Sequence, residues 1–210
     1  INAPVFNVIG NHDNDPYVAN DLLSEGGYRN IIGPTYYSFN LGKIHYIVLD
    51  NVEYLNAGGE FGAVGARDYK GKITTNQIEW LKKDLAMIED KSTPIIVGMH
   101  IQLNNNPTLS AGKSVSTARL DNSTEFKAAF IEFSNVNVLT GHTHINYAVD
   151  NATSTFMEHN TAAVCATWWW TGRNGYADNH IAKDGSPGGY AIWEFNNKDV
   201  KWQYKGIGET

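Results

Sequence analysis

Cysteine is almost absent from this chain, because Cys165 is the single one among 210 residues. One cysteine cannot form an internal disulfide framework, and we interpret it as a small buried side chain because its neighbours are apolar. Long apolar runs are also missing, since each stops well short of the ~20 residues that a membrane span requires. Hydrophobic residues still make up 42% of the chain. The sequence therefore predicts a soluble folded domain with no membrane span.

Basic residues are scarce as well. Lysine and arginine total 16 against 22 acidic residues, which gives a net charge of −6, and they form no basic stripe. This balance argues against long nucleic acid as the main partner but is compatible with a small phosphorylated substrate. The many asparagines and aromatic residues weigh towards a periplasmic or secreted protein.

Polar side chains follow three apolar runs, which we predict to be buried strands at residues 4–9, 94–99 and 136–140. The polar segments that follow them are Gly10-Asn11-His12-Asp13, His100 and Gly141-His142-Thr143-His144. Ligand sites in α/β sheets gather where strands end. The sequence therefore predicts one shared site at the rim of a sheet.

The remaining pattern predicts one domain over residues 1–210, without repeats or linkers. A strand is expected at residues 43–50, a helix capped by Thr74 or Thr75 at residues 75–90, and a second helix at about 123–133. A hairpin is expected at residues 185–204, with its turn at 196–199. The stretch 167–210 would supply a loop and this hairpin. His45 and His159 carry no motif, so we interpret His45 as structural and His159 as a packing or surface residue.

These motifs resemble the calcineurin-like metallophosphoesterase superfamily. Its usual order is D-x-H, G-D-x-x-D, G-N-H-D/E, a lone histidine after a strand, and G-H-x-H. The last three are present in that order, as Gly10 to Asp13, His100 and Gly141 to His144. The resemblance implies a mixed α/β (α+β) fold, a four-layer α/β/β/α sandwich, here without its N-terminal strands.

The same resemblance implies hydrolysis of a phosphate monoester or diester by hydroxide activated at a binuclear centre of manganese, iron or zinc. Asn11, His100 and His142 would bind one metal, and His144 would bind the other. His12 would stabilise the transferring phosphoryl group or protonate the leaving oxygen, with Asp13 fixing the tautomer of His12 and raising its basicity. Purple acid phosphatases share these late motifs, so a phosphomonoesterase of that kind is an alternative.

The first two motifs of the superfamily are missing, because only nine residues precede Gly10. Those motifs would supply the bridging carboxylate that holds two cations together. We therefore expect an incomplete centre and a missing N-terminal fragment of the same protein, which would pack on exposed apolar sheet surface. The alternative is a non-catalytic remnant that binds a ligand or partner.

An aromatic loop follows residue 166, with three consecutive tryptophans. We predict that Trp169, Arg173 and His180 contact the substrate, with aromatic walls for a sugar or nucleobase and Arg173 for a phosphate or carboxylate. The alternative is that the tryptophans are core residues and Arg173 is a surface charge.

Overall fold

The computed structural model describes residues 2–104, 108–110, 113–114, 119–150, 156–164, 169, 181–197 and 199–207. Within these ranges the helices are α1 (Asp21–Ser24), α2 (Gly26–Ile31), α3 (Thr75–Ala86) and α4 (Ser123–Ala129). The strands are β1 (Tyr37–Leu41), β2 (Ile44–Val48), β3 (Val52–Tyr54), β4 (Tyr69–Gly71), β5 (Ile95–Gly98), β6 (Thr108–Ser110), β7 (Lys113–Ser114), β8 (Val136–Thr140), β9 (Tyr147–Asp150), β10 (Phe156–Asn160), β11 (Gly189–Asn196) and β12 (Asp199–Gly206). None of the helices in these ranges is long and apolar enough to cross a membrane.

Six strands form the main sheet, in the order β1-β2-β5-β8-β10-β9. The four central strands β2, β5, β8 and β10 are parallel, and the outer strands β1 and β9 are antiparallel to their neighbours. The parallel strands therefore end at one edge of the sheet. His100 follows β5 by two residues and Gly141 follows β8 directly, so the sequence-based prediction that both motifs lie at strand ends is confirmed.

Helices α3 and α4 cover one face of the main sheet. Leu81 and Leu85 of α3 pack with Phe126 of α4 and Val97 of β5 in one buried cluster. Thr74 caps α3, as predicted, by accepting a hydrogen bond from the Gln77 backbone N–H. Both helices are shorter than the predicted 75–90 and 123–133. Each ends in a tighter turn that still delivers apolar side chains to the core, as the Phe130 N–H to Lys127 carbonyl bond shows for α4.

The hairpin β11–β12 lies on the opposite face of the main sheet. Its turn falls at the predicted position, with Asn197 in the left-handed region at φ 56°, although the first strand starts four residues later than predicted. Phe195 contacts Tyr46 of β2 edge-on, with ring centroids 6.3 Å apart. The mixed α/β fold is thus confirmed. The helices, the main sheet and the hairpin form three layers in the order α/β/β, which matches three consecutive layers of the predicted α/β/β/α sandwich.

The predicted buried strand at residues 4–9 is wrong, because this segment is irregular in the structure. Phe6 stacks on Phe39 with ring centroids 4.0 Å apart, and Val8 lies against Gly98. The segment therefore crosses the face of the sheet that the hairpin only partly covers. Val5 and Phe6 stay 62% and 50% exposed. A run of apolar residues becomes a strand only where a neighbouring backbone accepts its hydrogen bonds, and among the described residues none is paired with it.

His159 is confirmed as a packing residue and gives the fold an acid-sensitive element. It is 5% exposed and its ring contacts Trp193 and Trp202 edge-on, with centroids 4.6 Å and 4.7 Å away. Burial lowers the pKa of His159 from 6.5 to about 4. Between pH 6.5 and about 4, His159 therefore binds a proton in the unfolded chain but stays neutral in the folded chain.

We accordingly expect the free energy of unfolding to fall as the pH drops from 6.5 to 4. The contribution of His159 is at most about 3 kcal/mol. His159→Phe keeps a ring between the two tryptophans but cannot take up a proton. Urea denaturation at several pH values should show a shallower acid slope for this variant than for the wild type, and parallel slopes would contradict the assignment.

Candidate metal centre

The Gly10–Asp13 turn presents the first polar segment at the rim. Asp13 closes the turn, since its carboxylate accepts the Gly10 N–H at 2.8 Å and its own N–H donates to the Gly10 carbonyl at 3.0 Å. Gly10 lies directly against His100, because a Cβ at this position would be 3.1 Å from two atoms of the imidazole ring. The glycine is therefore required by close approach. Asn11 is buried, whereas His12 is exposed.

His100 is held by a buried asparagine that the sequence did not single out. The Asn51 side-chain oxygen accepts the N–H groups of His100 and Ile101 at 3.1 and 3.0 Å, and its amide nitrogen donates to the Ile101 carbonyl at 2.6 Å. Three bonds from one fully buried side chain fix the backbone that carries the histidine. Asn51 ends the loop after β2, and its role is structural.

The second histidine loop is tied to the first. The N–H groups of Gly141 and His142 both donate to the His100 carbonyl at 3.1 Å. Thr143 donates its hydroxyl to Asn160 at 2.7 Å, which anchors the loop to the end of β10. His144 has a left-handed backbone, with φ 61°.

Three predicted ligands meet at one point. The Asn11 Oδ1 atom lies 2.7 Å from His100 Nε2, and His100 Nε2 lies 3.0 Å from His142 Nδ1. Two ligand atoms that bind the same ion at a right angle, each with a bond of about 2.1 Å, lie about 3.0 Å apart. One amide oxygen and two imidazole nitrogens at these spacings fit the donor set of a divalent transition metal. The structure thus brings together Asn11, His100 and His142.

His144 is close to this cluster but does not complete a second one. Its ring centroid is 6.5 Å from that of His142. Throughout the described part of the chain, no group of three or more histidine, cysteine, aspartate or glutamate side chains is placed to hold a metal ion. The residues present therefore fit one metal position, and they offer His144 alone for another.

The electrostatics of the cluster favour neutral imidazoles. Burial, together with a smaller charge repulsion from neighbouring histidines, lowers the pKa of His100 to about 3 and that of His142 to about 4. The repelling neighbours are His144 and His12 for both rings, and His142 as well for His100. Burial is also the main cause of the lowered pKa of His144. Neutral imidazole is the form that binds a metal, so the histidines are ready to act as ligands at neutral pH.

Two further side chains support the site and were missed by sequence reasoning. The Tyr69 hydroxyl lies 3.2 Å from His142 Nε2. The fully buried Glu158 carboxylate accepts the backbone N–H groups of Leu103 and Asn104 at 2.6 and 3.1 Å and so fixes the chain that follows His100. Neither residue belongs to a motif.

The substrate-contact predictions have unequal outcomes. The Trp169 indole N–H donates to the Ala163 carbonyl at 2.6 Å, and the ring lies against Gly188, where a Cβ would be 2.6 Å from it. This packing does not test a substrate contact, so the role of Trp169 stays a prediction. Arg173, His180 and the single cysteine, Cys165, lie outside the described residues.

Comparison with known proteins defines the class. Residues 1–146 match the family described as calcineurin-like phosphoesterase, and residues 158–210 match the C terminal of calcineurin-like phosphoesterase. The chain belongs to the calcineurin-like phosphoesterase family, so the resemblance seen in its motifs is confirmed. No curated protein matches.

Two solved structures are similar over part of the chain. PhoD shares 20% identity over 61% of this chain with a TM-score of 0.43. The purple acid phosphatase PPD1 from yellow lupin (Lupinus luteus) seeds shares 17% identity over 73% of it with a TM-score of 0.44. The matched regions span 29% and 30% of those two chains. TM-scores this low support no inference about this chain.

Proposed function

We propose that this protein hydrolyses a phosphate ester with the help of bound transition-metal ions. The observation that carries the proposal is the meeting of Asn11 Oδ1, His100 Nε2 and His142 Nδ1 in a member of a phosphoesterase family. Manganese, iron or zinc ions bound there would neutralise phosphate charge and provide a nucleophile near neutral pH. Asn11, His100 and His142 would hold one ion, and His144 would contribute to a second.

In this proposal His12 acts on the substrate rather than on a metal. It is exposed at the rim, directly after the ligand Asn11, and it is among the groups that lower the pKa of His100, His142 and His144. From there it can donate a proton to the leaving oxygen or a hydrogen bond to the phosphoryl group. Asp13 fixes the backbone of this turn and thereby the direction of His12.

We further propose that an N-terminal segment of the same protein completes both the centre and the domain. The face of the main sheet opposite the helices carries an apolar cavity of about 470 Å³, lined by Phe39, Tyr46, Ile96 and Leu139 among others, and it reaches His100 at the rim. Strands packed on this face would end next to the histidines. Such strands could deliver the carboxylates that two closely spaced cations need.

Metal content tests this proposal directly. His100→Ala should lose the ion held with Asn11 and His142, because it removes the central donor of the three. His12→Asn is the matched control and should keep its metal. Elemental mass spectrometry after dialysis against metal-free buffer measures both, and full metal content in His100→Ala would contradict the site.

The same measurement tests the N-terminal segment. The protein at its natural length should hold about two ions, and the 210-residue chain at most one. Equal content in the two proteins would contradict a contribution from outside these residues.

A second candidate is a non-catalytic binding protein, favoured by the lack of a carboxylate in the ligand cluster of the described residues. Aryl phosphodiesters and phosphomonoesters assayed with added manganese separate the two candidates. Turnover by the metal-loaded natural-length protein supports hydrolysis and identifies the ester class, and two bound ions without turnover support the binding protein.

A further inference from the structure

Tyr69 lies at the outer side of the candidate metal centre and belongs to none of the three sequence motifs that form it. Its hydroxyl is 3.2 Å from His142 Nε2, and its ring meets the imidazole edge-on with centroids 5.7 Å apart. The other nitrogen of the same imidazole, Nδ1, faces His100 Nε2 at 3.0 Å. One histidine therefore has its two nitrogens on two different partners.

Asn11, His100, His142 and Tyr69 form a row of hydrogen bonds, and the acceptor at its first end, Asn11 Oδ1, sets the direction of each bond. Asn11 Oδ1 is a carbonyl oxygen and can only accept, so in the metal-free protein His100 Nε2, 2.7 Å away, carries the ring hydrogen, which would move to Nδ1 when Nε2 binds a metal. His142 Nδ1 faces this N–H at 3.0 Å and must therefore offer a lone pair. A neutral imidazole has one N–H, which then lies on Nε2 and donates to the Tyr69 oxygen.

The backbone leaves Tyr69 little freedom to move from this position. It opens β4, which pairs with β3 so that Tyr69 lies opposite Tyr54. Two residues later, a Cβ on Gly71 would be 2.7 Å from the Arg119 carbonyl oxygen and 2.9 Å from the Ile101 side chain. The Gly71 carbonyl also accepts the Asp121 N–H at 2.7 Å. The two-stranded ribbon β3–β4 thus packs closely against Ile101, one residue after His100.

We infer that Tyr69 is a positioning residue that holds His142 in the tautomer whose Nδ1 lone pair faces the metal position. This inference rests on the proposed function and deepens it by naming an outer partner of the centre. Partners that accept the second N–H of a ligating histidine fix its ring orientation and its tautomer. Tyr69 itself would not touch metal or substrate.

The test compares Tyr69→Phe with Tyr54→Phe in the protein at its natural length. Both variants keep the aromatic ring, and both lie on the same ribbon, but only the first removes an oxygen that contacts His142. We expect Tyr69→Phe to weaken zinc affinity, measured by competition with a chelator, by 10- to 100-fold. Tyr54→Phe should bind zinc like the wild type. A loss below threefold in Tyr69→Phe, or equal losses in both variants, would overturn the inference.

A second readout does not depend on metal. Nitrogen chemical shifts of ¹⁵N-labelled histidine in the metal-free protein report which ring nitrogen of His142 carries the hydrogen. We expect the Nε2–H form in the wild type and an increased Nδ1–H fraction in Tyr69→Phe. The Nδ1–H form in the wild type, or an unchanged ratio in the variant, would overturn the role of Tyr69. If the wild type binds no zinc at all, the proposed function fails, and this measurement alone still decides the inference.

Discussion

Replacing His12 with asparagine is expected to lower kcat by about 10²- to 10⁴-fold, the range over which a positioned acid or base contributes. Metal content should remain that of the wild type. The reason is geometric, since the ligand contacts run from Asn11 to His100 and His142, whereas His12 takes part in neither contact and is exposed. Steady-state kinetics on the metal-loaded protein, with metal analysis of the same samples, gives both quantities.

The leaving group distinguishes the two roles proposed for His12. A proton donor matters most when the leaving oxygen is strongly basic, so an alkyl ester should lose more activity than a nitrophenyl ester. Equal losses for both esters would assign His12 to the phosphoryl group instead. Unchanged kcat for both esters would contradict either role.

The predictable part of this fold is the part with repeating local patterns. The helix α3 follows from leucine and isoleucine spacing and from a threonine cap, and both features are present. The strands β5 and β8 follow from short apolar runs that are buried in the sheet. That both strands end at the same edge of the sheet could be predicted only from the motifs, because a shared site requires it of two strands that are distant in sequence.

The failure at residues 4–9 has a different origin. Valine, phenylalanine and isoleucine favour strands because they fit a pleated, half-buried surface, and the residues themselves carry that signal. Strand formation also requires a neighbouring backbone to pair with. Whether such a neighbour is present cannot be predicted from the residues of the segment itself. Phe6 instead uses its apolar surface against Phe39 on the face of the sheet.

The residues of the candidate site likewise fall into those that could be predicted from the sequence and those that could not. Asn11, His100 and His142 could be found because each belongs to a motif whose chemistry is recognisable from residue types alone. Tyr69 and Glu158 could not, because they act through contacts 73 and 55 residues away in the chain. A single tyrosine or glutamate in a strand carries no signal of its own. Only the path of the backbone reveals what such a side chain touches.

His45 illustrates a histidine whose role is purely structural, and it leads to the largest expected effect on stability. Its Nε2 atom lies 2.8 Å from the Asp84 carboxylate, and its Nδ1 atom lies 2.8 Å from Asn40 Oδ1. The other Asp84 oxygen accepts the Ser38 hydroxyl at 2.7 Å. Asp84 and His45 are each 5% exposed, so the pair that joins α3 to β2 is shielded from water. Ser38 and Asn40 extend the network to β1.

Asp84→Ala is expected to lower the free energy of unfolding by about 3–5 kcal/mol, because it removes the partner of the buried His45 and of the half-buried Ser38 at once. Ser38→Ala removes only one neutral hydroxyl from the same carboxylate and should cost about 1 kcal/mol. The double variant His45→Leu/Asp84→Leu tests the physical reason, since removing both members leaves no orphaned group between them. Urea denaturation should show the double variant to be more stable than Asp84→Ala. If it is less stable, the pair contributes mainly through its own attraction and not through the cost of leaving one member buried alone.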